Sequence, residues 1–86
     1  MRIEFDERGW DDYLFFFDTD RAVITRIHAL LKDCARSPFA GIGKPERLRG
    51  SLAGVWSRRI TEEHRQVYRV VGDVLQVAQC RWHYDK

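Results

Sequence analysis

The chain is poor in the residues that mark secreted, metal-bound or membrane-embedded proteins. Its two cysteines, Cys34 and Cys80, form no CxxC pair, and its three histidines stand at no zinc-ligand spacing. That argues against a disulfide scaffold and against a structural metal. No apolar run approaches the roughly 18 residues of a membrane span. The opening residues, Met1 to Asp6, lack the apolar stretch of an export signal. The expectation is a cytoplasmic protein with two reduced, half-buried thiols and no membrane partner. Only two prolines are present, and no linker, repeat or low-complexity segment interrupts the sequence. A net charge of only +2 excludes a general polycation.

What is present is a small globular composition. The 86 residues are 44% hydrophobic and 33% charged, enough for one domain with a modest core. Eleven residues are aromatic, and Trp10, Tyr13, Phe15, Phe16 and Phe17 crowd one short segment. Some of that surface is expected to serve a partner or self-association. Charge is uneven along the chain. Arg47, Arg49, Arg58, Arg59, Arg65 and Arg69 outnumber Glu46, Glu62 and Glu63, whereas the first twenty residues are acidic. The second half therefore suits a polyanion.

Periodicity gives the order of elements. Arg2 to Phe5 alternates and reads as a strand. Asp6 can cap a helix carrying Trp10, Tyr13, Leu14 and Phe17 on one stripe. Asp18-Thr19-Asp20 breaks it and caps a second helix, whose stripe is Val23, Ile24, Ile27, Leu30, Leu31 and Cys34. Ser37-Pro38 ends that helix. A loop to Pro45 leads to a short strand, Glu46 to Arg49, then a turn over Gly50 to Gly54. Val55 to Thr61, Arg65 to Val71 and Val74 to Tyr84 read as strands, the last two joined by a Gly72-Asp73 hairpin. The expected fold is α+β: one domain over residues 1–86, an antiparallel sheet with an N-terminal helical hairpin on one face, order β-α-α-β-β-β-β.

The polar residues suggest chemistry. Strand parity puts Arg81 and His83 on the face away from the helices, with Arg65 and Glu46 starting nearby strands. Cleavage of RNA by its own 2′-hydroxyl needs a base, an acid, a cation for the phosphate and surfaces for the bases. A glutamate, a histidine, arginines and aromatics supply these without a metal. Taken singly, Glu46 and His83 also fit ordinary surface residues. His64 reads as structural and His28 as a helix-surface residue. Arg58 and Arg59 must face opposite sides, and one of them can pair with Glu62 or Glu63.

Taken together, the segments resemble a known family. Trp10-Asp11-Asp12-Tyr13, Pro38-Phe39, Gly41-Ile42-Gly43-Lys44-Pro45-Glu46, Leu52 to Ile60, Glu62-Glu63-His64-Arg65, Val67-Tyr68 and Arg81-Trp82-His83-Tyr84 are similar to YoeB-type toxins of the RelE superfamily, whose fold is like that of microbial ribonucleases. The resemblance implies a ribosome-dependent endoribonuclease that cuts messenger RNA in the 30S A site without a cofactor or metal. It assigns Glu46 as general base, Arg65 as phosphate-stabilising cation, His83 as general acid and Tyr84 as a substrate-orienting ring. Arg49, Arg59, Glu63, Lys44, Arg81 and Trp82 complete the candidate substrate contacts. The implied partners are a YefM-type antitoxin, a second copy of the toxin, and operator DNA through the toxin–antitoxin complex. Arg47 replaces a usual proline, and Trp82 a usual tyrosine. The alternatives are a ParE-like toxin that acts on DNA gyrase and cuts no RNA, or a non-enzymatic nucleic-acid-binding module.

Overall fold

The computed structural model describes residues 1–50 and 54–82. The expectations for Ser51 to Ala53 and for His83, Tyr84, Asp85 and Lys86 lie outside those residues. Seven elements follow in the expected order: β1 (Arg2–Phe5), α1 (Glu7–Thr19), α2 (Arg21–Arg36), β2 (Glu46–Arg47), β3 (Trp56–Arg59), β4 (Arg65–Val71) and β5 (Val74–Gln79).

Local chemistry sets the helices. The Asp6 carboxylate accepts from the Gly9 amide at 2.8 Å and starts α1. Asp20 ends α1, and its side chain accepts from Ala22 and Val23 to open α2. One residue thus closes one helix and caps the next. The α2 stripe is buried as its period requires: Val23, Ile24, Ile27, Leu30, Leu31 and Cys34 all lie in the core with Leu75, Val77 and Tyr68.

The α1 stripe differs from expectation. Phe16 and Gly9 are the buried positions, while Trp10, Leu14 and Phe17 are exposed. The outer rings stack on each other instead, with Trp10 and Tyr13 centroids 5.5 Å apart and Tyr13 and Phe17 at 6.5 Å. Gly9 sits where α1 crosses β5, and a β-carbon there would collide with the Val77 carbonyl. Close helix–sheet approach therefore requires glycine at this position.

The sheet order is β1-β5-β4-β3-β2. It is mixed rather than antiparallel: β1 runs parallel to β5, Arg2 opposite Val74 through Phe5 opposite Val77. The helical pair between β1 and the later strands carries the chain across the sheet, and that crossover permits parallel pairing. The remaining pairs are antiparallel. The last strand ends at Gln79 rather than Tyr84, and β2 is two residues instead of four. The β4–β5 register shifts between Val67 and Tyr68, so Ala78 is the extra residue of a bulge. Leu75 and Val77 face the helices before the bulge. Gln79, opposite Val67, faces away after it. Both cysteines are fully buried, not half-buried. Burial pushes the Cys80 thiol up to about 12 and raises Cys34 as well. Among the described residues, no helix is long and apolar enough to cross a membrane.

Candidate active site

Register places the polar candidates. Glu46 pairs with Ser57, Ser57 with Val67, and Arg59 with Arg65. These side chains share the face away from the helices, while Trp56, Arg58 and Ile60 take the covered face. Arg65 and Glu46 meet there: a guanidinium nitrogen of Arg65 lies 3.8 Å from Glu46 Oε1. The Arg65 side chain is only 13% exposed and Glu46 is 60% exposed. Arg65 Nε donates to the hydroxyl of fully buried Ser57 at 3.1 Å. That bond reaches diagonally across the strand pair and fixes the guanidinium plane. Ser57 was not singled out from sequence. Its signal was available, because parity on β3 sets it opposite Glu46.

The loop that delivers Glu46 is held from beneath. Arg58 is 0% exposed and makes five hydrogen bonds. Its partners are the Tyr68 hydroxyl, Asp33 at 2.7 Å, and the carbonyls of Ser37, Ala40 and Ile42. Every guanidinium N–H is thereby satisfied. Asp33 also accepts from the Ile42 amide. The hydrogen bond from Arg58, then that from Ile42, hold its carboxyl below the usual range. Tyr68, which donates to the Pro38 carbonyl, is pushed up to about 12 by burial. The expected pairing of an arginine with Glu62 or Glu63 is therefore replaced, for Arg58, by Asp33. Downstream, Gly43 at φ 80° has no room for a side chain, since a β-carbon would lie 2.7 Å from Leu30 Cδ2. Its carbonyl accepts from the Arg59 amide at 2.7 Å. Lys44 follows, also left-handed at φ 52°, and Glu46 enters the sheet two residues later.

The other candidates separate. Arg59 is exposed on the Glu46 face, and its carbonyl accepts from Arg26. Arg49 lines a cavity at the sheet edge with Phe39, Arg47 and Trp56. Glu63 is exposed, 3.7 Å from His64 Nε2. His64 is structural, as expected: Nδ1 accepts from the Trp82 amide at 2.8 Å, and its ring packs on Phe16 and Trp82. His28 lies on the surface of α2, bonded to Tyr13 at 2.7 Å.

Arg81 departs from its predicted face. Because β5 has ended, its guanidinium turns to the helix side and stacks 3.6 Å over Phe15. Trp82, at φ 66° and exposed, hangs between His64 and Arg65: its amide donates to His64 and its carbonyl accepts from the Arg65 amide at 3.0 Å. The chain thus returns from β5 to the first residue of β4.

A helical pair over a mixed five-stranded sheet, with a carboxylate and a seated arginine on the uncovered face, is the architecture of the small RelE/YoeB-like toxins. A family model for the YoeB-like toxin of bacterial type II toxin–antitoxin systems matches residues 5–84. Toxin YoeB of Escherichia coli strain K12 is 52% identical over 84 residues, covering 98% of this chain and all of that one. A YoeB/ParE toxin from Agrobacterium tumefaciens superposes with a TM-score of 0.95 at 51% identity, covering 98% of this chain and 100% of that one. The Staphylococcus aureus YoeB has been solved as a dimer (TM-score 0.91, 40% identity) and in a YoeB–YefM complex (0.90, 39%), with 98% of each chain covered in both. The chain belongs to the YoeB-like toxin family and is a toxin of a toxin–antitoxin system.

Proposed function

We propose that this toxin is a ribosome-dependent endoribonuclease that cuts messenger RNA in the A site. The observation that carries this is the Arg65–Glu46 pair: a guanidinium seated by Ser57 at 3.1 Å and standing 3.8 Å from an exposed carboxylate. A 3.8 Å gap is too long for a tight charge-assisted bond. Both groups therefore keep capacity for a substrate. Glu46 takes the proton of the 2′-hydroxyl, and that oxygen attacks the adjacent phosphorus. Arg65 meets the charge that builds on the phosphoryl oxygens. The bond to the 5′ oxygen breaks, and His83, which follows Trp82 in sequence, protonates the leaving oxygen. The products are a 2′,3′-cyclic phosphate, open to hydrolysis to a 3′-phosphate, and a 5′-hydroxyl. Tyr84 orients the substrate, and Arg59 supports the phosphate.

The same proposal takes a YefM-type antitoxin as partner, a homodimer as the free form, operator DNA as the target of the toxin–antitoxin complex, and the cytoplasm as the compartment. The complex and dimer of the S. aureus relative support the first two. Two measurements test the chemistry. Wild type cuts ribosome-bound message, and Glu46→Ala and His83→Ala do not. The single-turnover rate of wild type is bell-shaped in pH, and a flat profile overturns the acid–base assignment. Gyrase inhibition without RNA cutting, as for a ParE-like toxin, overturns the proposal. So does undiminished activity in Glu46→Ala, as a pure binding module predicts.

A further inference from the structure

The uncovered sheet face continues past Arg65. Three side chains form one row across three strands there, Arg69 on β4, Gln76 on β5 and Glu4 on β1, each directly opposite the next. Arg69 Nε donates to Gln76 Oε1 at 2.9 Å, and Gln76 Nε2 donates to Glu4 Oε1 at 2.8 Å. Beside this row lies a cavity of about 270 Å³, lined by these three with Asp6, Val55, Tyr68 and Ala78. The bulge makes room for it: Ala78, the unpaired residue, brings only a methyl group to its wall. A volume at the small end of ligand pockets admits one planar ring, not a chain.

We propose that this cavity is a nucleobase pocket, selective for guanine, that reads one base of the RNA beside the scissile phosphate. The assignment rests on the nuclease function proposed above. Arg65 and Arg69 are four residues apart on one face of β4, roughly 13 Å at strand rise, so base and reacting phosphate belong to neighbouring parts of one strand. The hydrogen-bonding inventory selects the base. Gln76 is locked by its two neighbours. Among the described residues, the second Glu4 oxygen and Asp6 Oδ2 accept no hydrogen bond, and the terminal nitrogens of Arg69 donate none. The pocket therefore offers carboxylate acceptors on one side and a guanidinium donor on the other. Guanine presents amino and imino donors next to a carbonyl acceptor and matches both. Adenine, cytosine and uracil each set only one donor group beside an acceptor and match in part, because none offers the carboxylates two adjacent donors. A polar ladder that only braces the strands would show no such preference.

The test is an NMR titration of the whole toxin with each of the four nucleoside 5′-monophosphates. The expected result is saturable shifts at the Val55 and Ala78 amides and the Gln76 side chain, strongest with GMP. Equal shifts for all four, or shifts elsewhere, overturn it. Shifts here only with an acidic antitoxin peptide also overturn it, because the pocket is then a protein-docking site. In parallel, ribosomes are programmed with messages differing in one A-site base. Wild type prefers guanine by at least about tenfold, and Glu4→Gln and Gln76→Leu, checked for folding by circular dichroism, bring that ratio towards one. An unchanged ratio in both variants sinks the pocket and leaves the nuclease standing. No cutting by wild type sinks the nuclease, while the titration still decides whether the pocket binds a base.

Discussion

Two arginines of this toxin each face a carboxylate, and the two pairs could hardly differ more. Arg58 is fully buried, 2.7 Å from Asp33, with every donor committed. Arg65 lies at the surface of the same sheet, 3.8 Å from Glu46, with one bond to Ser57 fixing its plane. A closed network has nothing left for a ligand and everything invested in shape. An open pair has its orientation set by a neighbour and its charge left available. Guanidinium and carboxylate are the same groups in both. What differs is how many hydrogen bonds are already made.

That contrast can be broken in several ways. Losing Arg65 should have the largest effect on cleavage and a small one on stability: Arg65→Ala lowers the single-turnover rate by about 10²- to 10³-fold while the melting temperature moves by a few degrees. Retained cutting would remove Arg65 from the chemistry. Arg58→Met should do the reverse first, destabilising by about 3–5 kcal/mol because a carboxylate and three loop carbonyls lose their donor. Thermal denaturation reads this as a fall of ten degrees or more in a domain of this size. Arg58→Lys should rescue little of it, since an ammonium supplies three donors and no planar fork. A melting point within a few degrees of wild type would show that the loop holds itself.

The pH dependence separates the pairs more gently. Asp33 has a lowered folded-state pKa, so its contribution is complete above its unfolded value of about 3.9 and is lost as pH falls below that, through the folded value. Urea midpoints measured from pH 6 down to pH 3 should drop on that limb for wild type and drop less for Asp33→Asn, which starts lower. The smallest effect concerns the thiols. Cys80, pushed up to about 12, and Cys34, raised likewise, should label with thiol reagents at pH 8 only as fast as the protein opens. Fast labelling of native protein would contradict their burial.

Much of this was legible in advance, for reasons that also mark where legibility stopped. The α2 stripe obeyed its period because one face of a long helix covers the sheet. In α1 the same period misled, because Trp10, Tyr13 and Phe17 satisfy one another on the outside and Phe16 alone goes in. Glu46 and Arg65 came together as expected, since register follows from the hairpins. Arg81 did not join them: one bulge at Ala78 and an early strand end overturned a parity count carried from Val74. Arg58 and Arg59 were expected on opposite sides with one of them near Glu62 or Glu63, and the alternation of Trp56, Arg58 and Ile60 sends Arg58 inward to Asp33. The partner of β1 had no local signal, because four residues cannot announce which edge they will join.

That last pairing has a consequence for timing. Arg2 lies beside Val74, so the first of the described strands to be made completes its hydrogen bonds with the last of them. The loop to be closed contains both helices and three strands, and the entropy of closing it comes due before any contact of that pair repays it. A nascent toxin therefore cannot finish its sheet until β5 has been made.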